Sequence, residues 1–495
     1  MKNFSFTGYS TITATALIFS CSSSAKEDIS PRPNILLMIA DDLGYGDVTC
    51  FRGDAPWIPY VMPGEEITPP LTPHLDRLAE SGMMLTSFYT NCSVCSPTRA
   101  ALLTGRYNHR TGVINVLGQL GSTIQQVALP GEAPFTGLPH DEITLPQILR
   151  DGGYRTAAIG KWHLGAFVNG HHPMDYGFDM FVGTQGGAGN NFSLKTPDGR
   201  SIFYRNREAV EAPGYWYTDV LADEAIDFMT RSEEPFFTYL AFTAPHVPLF
   251  GPNDRELANA WDQKGTTGPR EDLYVAYVEV VEGMDAAIGR IMEALQASGL
   301  DSNTLVIFAS DNGPVDYGSP APLRGRKTQL YEGGPRVPFI ASWPGYIPEN
   351  SRSAEQVMTM DLMPTLVRLA GGSLPDDRKI DGIDLTPVLL HQQKTEPRML
   401  FWEKPVGVQM RAFNNRRWAV LDGNWKLQQE RSGKAPELYN LETDLTESVD
   451  LAREHPEIVL RLTSAFNEWK RDVYADCPYD IDELTRRLKE HGIID

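Results

Sequence analysis

Short apolar runs bounded by turn residues alternate with amphipathic stretches along most of this chain. NILLMIA (34–40), RTAAIG (155–160), PFFTYLAFTAP (235–245) and TLVIFAS (304–310) are compact and almost continuously apolar, the pattern of strands covered on both faces. Between them LTPHLDRLAESG (71–82), TLPQILRDGGY (144–154), TDVLADEAIDFMTRS (218–232) and YVAYVEVVEGMDAAIGRIMEALQASG (274–299) repeat apolar residues at helical spacing. Strand and helix in alternation predict an α/β fold around a large, mostly parallel sheet. From about residue 396 the pattern changes to short strand-like pieces, MLFWE, WAVLDG, WKLQQ and ELYNL, and then one helix, PEIVLRLTSAFNEWKRDV. This predicts a smaller C-terminal antiparallel sheet plus helix, dividing the chain into a large α/β domain over 32–395 and a C-terminal α+β subdomain over 396–495. Two segments, 51–73 and about 118–139, are longer than simple connections need and are candidate walls of a cleft.

The N-terminus stands apart from this pattern. Lys2, an apolar run from Ala14 to Phe19, Ser20 and Cys21 resemble a bacterial lipoprotein signal. On that reading residues 1–20 are removed, Cys21 is lipidated, and 21–31 form a polar tether. The chain would then be lipid-anchored at the outer membrane of a cell envelope, on its periplasmic or cell-surface face. An ordinary signal peptide or a short buried helix is the alternative, since Phe19 is unusual at its place. No other run is long and apolar enough to span a bilayer.

Composition narrows the partners. With 495 residues and 41% hydrophobic content the chain can bury a large core, and a formal net charge of -20 argues against nucleic acid, whose phosphates need a basic surface. Of five cysteines, four follow Cys21, too few for a disulfide scaffold.

Two strands run into the same chemistry. NILLMIA leads into Asp41 and Asp42, and TLVIFAS into Asp311 and Asn312 followed by Gly313. Ligands of open parallel sheets gather at the carboxyl ends of strands, so these four oxygen-bearing side chains could converge. Hard oxygen donors suit Ca²⁺ or Mg²⁺ and suit zinc poorly. Each pair also has a plainer reading, as a cap on a turn.

NCSVCSPTRAALLTGR (91–106) contains a CxxC pair, Cys92 and Cys95. Ser96 as N-cap and Pro97 as first helical residue place Cys95 just before a helix, where a thiol pKa falls and anions gather. A redox pair would need a thioredoxin-like unit, and a zinc site a second ligand pair; Cys50 and Cys477 are isolated.

CSPTRAALLTGR matches the C-x-P-x-R signature of the type I sulfatases of the alkaline phosphatase superfamily, and the chain resembles bacterial polysaccharide sulfatases over roughly 32–445. PNILLMIADDLGYGD, IGKWHLG, TAPHVP, ASDNG and LRGRKTQLYEGGPRVP follow in the family's order. The resemblance implies an alkaline phosphatase-like sheet sandwiched by helices, and a maturation enzyme that oxidises Cys95 to Cα-formylglycine. Asp41, Asp42, Asp311 and Asn312, together with residue 95, would hold Ca²⁺, with Mg²⁺ possible. Arg99 would pin the hydrate of the aldehyde, while Lys161, His163, His246 and Lys327 would surround the sulfate and the leaving oxygen. In the mechanism so implied, one geminal hydroxyl attacks sulfur while a protonated histidine, assigned as His246 with help from Lys327, donates to the departing alcohol. The second hydroxyl then collapses to restore the aldehyde and expel sulfate. Some family members have a serine after their GFxxFxG segment; here FDMFVGTQGGAGNN offers Thr184, Gln185 and glycines instead.

The envelope signal points to polysaccharide as substrate: oligosaccharides from sulfated algal polymers of the ulvan, carrageenan or fucoidan kind, whose repulsion by an acidic protein is screened at marine ionic strength. Trp57, Tyr60, His171, His172, Arg324 and Arg326 are candidates for stacking on sugars or pairing with their anionic groups. Glycosaminoglycans or aryl sulfates are the nearest alternatives. A phosphodiester or phosphonate hydrolase of the same superfamily and an inactive carbohydrate-binding lipoprotein are more remote ones.

Overall fold

A computed structural model of the protein describes residues 1, 32–59, 68–117, 137–165, 167, 170–186, 189–195, 199–264, 272–405, 416–430, 433–478, 480, 483, 486 and 490. The signal, Cys21, the tether, Tyr60 and most of the 118–139 loop lie outside the described residues. From Arg32 onward the chain forms one compact unit.

Its centre is a ten-stranded sheet. β1 (Asn34–Ala40) lies between β9 (Thr304–Ser310) and β8 (Phe236–Ala241), and β4 (Arg155–Lys161) and β5 (Met180–Thr184) continue beyond β8. All of these pair in parallel. Antiparallel strands extend both sides: β6 (Phe203–Arg205) and β7 (Glu208–Ala209) past β5, and β10 (Phe339–Ser342) past β9. β2 (Met83–Leu85) and β11 (Ser351–Ser353) complete the β10 side. The sheet is thus mixed but parallel at its core, as the strand–helix alternation implies.

β1 is buried along its whole length because it is covered on both faces. Leu36, Met38 and Ala40 join a core built with helices Tyr217–Thr230 and Leu273–Ala297, while Ile35, Leu37 and Ile39 alternate to the other face. A second helix group contains Cys95–Thr104, Leu145–Asp151 and Leu362–Leu369. A two-stranded pair, β3 (Phe88–Tyr89) with β12 (Val357–Met358), leads into it.

The C-terminal pieces form an antiparallel sheet of β13 (Leu400–Pro405), β14 (Arg416–Asp422), β15 (Trp425–Gln429) and β16 (Glu437–Asn440). Trp402, Ala419, Leu427 and Leu438 cluster with Leu462, Phe466, Trp469 and Val473 of helix Pro456–Ala475. Tyr89, Leu330 and Met358 belong to the same cluster, so this sheet is fastened to the segment carrying the late lysine motif.

Candidate active site

Strand register brings the two acidic pairs together. Ala40 and Ser310 are cross-strand partners, so the residues that follow leave the sheet side by side, and Asp311 N donates to Ala40 O at 3.0 Å. Asp41, Asp42, Asp311 and Cys95 each present a ligand atom, all within 4.8 Å of one another and all buried. Asp42 has φ +68°, a left-handed conformation that Asp tolerates better than most residues.

Asn312 supplies the most informative atom. Its Nδ2 donates to Asp42 Oδ1 at 2.7 Å and to Gly313 O at 2.9 Å, whereas its buried Oδ1 has no hydrogen-bond partner. A buried oxygen without a donor is costly, and a cation beside the three carboxylates would satisfy it. Apart from the Cys95 sulfur the donors are oxygens, so the residues present fit a hard divalent ion.

Three cations face the three carboxylates. Lys161 Nζ lies 2.6 Å from Asp41 Oδ2, Lys327 Nζ 2.6 Å from Asp42 Oδ1, and Arg99 Nη2 2.7 Å from Asp311 Oδ2. Arg99 also donates through Nε to Asp311 and through Nη1 to Lys161 O and Tyr239 OH, leaving one Nη2 hydrogen of its five donors unused among the described residues. Burial alone would raise the Asp41 carboxyl, but Lys161, His246, Arg99 and Lys327 hold it well below the usual range. Asp311 is pushed up by burial and by Asp41. Burial opposes charge on Lys161 and Lys327 too, and their carboxylate partners more than compensate, so both stay protonated.

Two histidines complete the group. His246 follows β8, and its Nδ1–H donates to Val247 O at 2.6 Å, which leaves Nε2 facing Asp42 Oδ2 at 3.5 Å. His163, at φ +58° beyond the end of β4, is buried with Nδ1 unpartnered. Burial, then Lys161 and Arg99, drive its pKa well below the ordinary value, so the ring is neutral and resists protonation. A recess beside His246 is lined by Thr184, Asn191, Leu194, Tyr217 and Thr243. Thr184 Oγ1 is turned to Gly186 O at 3.1 Å.

Cys95 departs from expectation in two ways. The helix begins at Cys95 itself, with Val94 as N-cap, two residues earlier than the Ser-Pro pair predicts, and Ser96 Oγ accepts from Leu117 N instead of capping. Gly105, at φ +66°, closes the helix as a left-handed cap. The thiol is also not acidified. Full burial, with Asp311 and Asp41 nearby, outweighs Lys161 and Lys327 and pushes it up to about 12. Its Sγ lies 3.6 Å from Asp41 Oδ1. As a thiol, residue 95 is a protonated, inert group among charges, and Cys92 is free, buried and pushed up to about 11 by burial.

The other sequence candidates have protein partners. Trp57 Nε1 donates to buried Asp47 at 2.7 Å. His171 Nδ1 meets Tyr176 OH at 2.7 Å, and its ring fills the space beside Gly137 and Gly165. His172 Nε2 meets Asn206 O at 2.8 Å. Arg324 reaches Glu447 O and stacks over Tyr331, and Arg326 pairs with Asp316. Sequence reasoning missed Tyr239, hidden in an apolar strand, and Lys404 and Arg417, which reach the Lys327 segment from the C-terminal sheet.

Comparison with known proteins places this geometry. Residues 33–373 match the family model described as sulfatase, and 326–472 match the one described as N-sulphoglucosamine sulphohydrolase, C-terminal. The chain is 35% identical over 397 residues to N-acetylgalactosamine-6-sulfatase of Sus scrofa, covering 75% of this chain and 68% of that protein. It is 31% identical over 513 residues to arylsulfatase G of Rattus norvegicus, covering 92% and 90%. The crystal structure of Ps i-CgsB in complex with k-i-k-neocarrahexaose superposes with a TM-score of 0.74 at 27% identity, over 94% of this chain and 98% of that one. The chain belongs to the sulfatase family and is a sulfuric ester hydrolase.

Proposed function

We propose that the protein removes sulfate from oligosaccharides of sulfated algal polysaccharides, using residue 95 as a Cα-formylglycine. The observation that carries the chemistry is the meeting of Cys95 with Asp41, Asp42, Asp311 and the unpartnered Asn312 oxygen in one buried cluster. The algal assignment draws on the similar structure that binds k-i-k-neocarrahexaose and on the lipoprotein-like N-terminus, whose Cys21 would anchor the enzyme at the outer membrane.

Bound by Asp41, Asp42, Asp311 and Asn312, Ca²⁺ would supply positive charge to the sulfate oxygens. Oxidised by the maturation enzyme and hydrated, residue 95 would carry hydroxyls where the thiol now lies. The spare Nη2 hydrogen of Arg99 and the unpartnered Nδ1 of the neutral His163 ring are groups suited to holding one hydroxyl by hydrogen bonds. Lys161 and Lys327 would bind sulfate oxygens from the positions they hold against Asp41 and Asp42. His246 Nε2 would protonate the departing sugar oxygen.

Glycosaminoglycan is the second reading, favoured by the 33–35% identity to N-acetylgalactosamine-6-sulfatases. Sulfate release from defined carrageenan, ulvan, fucoidan and glycosaminoglycan oligosaccharides, by protein co-produced with a formylglycine-generating enzyme, tests the choice. Release confined to glycosaminoglycans would refute the algal reading. Release from none of them, with the aldehyde present, would refute both.

A further inference from the structure

Thr328, the residue after Lys327, has φ +74°. A β-branched side chain is rarely found in this left-handed region, and a residue held there needs surroundings that over-determine it. Both of its peptide groups are gripped. Thr328 N donates at 2.8 Å to the carbonyl of Ser93, two residues before Cys95. Its carbonyl accepts from Arg417 Nη1 at 2.7 Å and from Lys404 Nζ at 3.5 Å.

These two cations are cross-strand partners on β13 and β14. Arg417 is ion-paired with Glu430, Nε to Oε2 at 3.0 Å, and Glu430 accepts from Leu330 N, so the C-terminal sheet holds the chain at 328 and again at 330. On the other side Lys327 N donates to Pro314 O at 2.9 Å. The side chain between these fastenings is the one that reaches Asp42.

We propose that Arg417, supported by Lys404, is a positioning residue for the sulfatase reaction: it holds Thr328 left-handed and so aims Lys327 at the sulfate site. The inference rests on the reading that Lys327 acts there. Without the Arg417 donor the strained peptide can relax toward an ordinary conformation, and Lys327 is carried away from Asp42. Misplacement of a catalytic group by about 1 Å can cost roughly a hundredfold.

The test uses full-length protein with its aldehyde content measured for each variant. Arg417→Met is expected to lower kcat about tenfold to a hundredfold while KM stays within about threefold. Glycine takes φ +74° without strain, so adding Thr328→Gly should recover most of that loss. In a Lys327→Ala background Arg417→Met should have no further effect. Should Arg417→Met fail to fold, Arg417→Lys with and without Thr328→Gly carries the same comparison. Wild-type kcat in Arg417→Met, or a loss that Thr328→Gly leaves in place, overturns the positioning role. A Lys327→Ala enzyme with wild-type kcat removes Lys327 from the reaction and the inference with it. An inactive Lys327→Ala beside an unaffected Arg417→Met sinks the positioning role alone.

Discussion

Replacing His246 by alanine should separate substrates by the basicity of the group that leaves. Its Nδ1–H is committed to Val247 O at 2.6 Å, so Nε2, 3.5 Å from Asp42 Oδ2, is the nitrogen open to a substrate oxygen. The side chain is 16% exposed, enough to meet a sugar while keeping bulk water from replacing it freely. A positioned general acid contributes typically about 10²–10⁴-fold, or roughly 2.7–5.4 kcal/mol. A sugar alkoxide is a poor leaving group and needs that proton; nitrophenolate is a stable anion and does not. The ring's weak contact with Asp42 is lost for both substrates and cancels in their ratio. His246→Ala should therefore lose about 10²–10⁴-fold in kcat/KM on a sulfated oligosaccharide and about a hundredfold less on nitrophenyl sulfate. The assay is kcat/KM for both enzymes on both substrates. Equal losses would refute the assignment of His246 as the acid.

Lys426→Met should destabilise the protein by about 3–5 kcal/mol at pH 8, read from denaturant unfolding, because fully buried Lys426 stands 2.8 Å from Glu332 and 2.9 Å from Glu447. Burial already pushes the Glu447 carboxyl up, and Lys426, ahead of Arg336 and Tyr89, holds Glu332 down against its own burial. Without the lysine both folded pKa values rise above the unfolded one. The penalty is then fully present above those folded values and shrinks as pH falls through them, so a loss as large at pH 5 as at pH 8 would contradict this account. Ca²⁺ at a hundred times its Kd should stabilise the wild type by about 2.7 kcal/mol in thermal unfolding. Asn312→Leu, lacking the amide oxygen, should need a much higher concentration for the same gain, and an unchanged titration would remove Asn312 from the ion's ligands. Cys92→Ala should keep the aldehyde and the activity at a stability cost of about 1 kcal/mol; loss of the aldehyde in its peptide would show that the maturation motif extends further than CSPTR.

The parts of this molecule readable in the sequence are those set by local pattern. NILLMIA and TLVIFAS form strands over the residues the apolar runs mark, and their register delivers the acidic pairs side by side. Motif order marks Lys161 and Lys327, whose charges act on Cys95, and His246, which faces Asp42. Short strands such as Met83–Leu85 and the edge strand Ser351–Ser353 are too brief to carry a period and exist through their pairing. The Cys95 thiol was misjudged because a helix N-terminus is a local cue, whereas burial beside Asp41 and Asp311 is a tertiary one. His171 and His172 look like sugar ligands in a loop sequence, yet Tyr176 and Asn206 take their ring nitrogens. Thr328 carries no sign of its left-handed backbone, since the groups that impose it are Ser93 and Arg417, far away in sequence.

The central claim is that residue 95, converted to an aldehyde, carries the hydrolysis. Its most direct test is the rate of sulfate release from a sulfated oligosaccharide, measured on preparations whose aldehyde content at residue 95 is varied by the dose of maturation enzyme. The account predicts a rate proportional to the aldehyde fraction, falling to zero with it and absent in Cys95→Ala. Sulfate release that persists in preparations with only a thiol at residue 95 would contradict it.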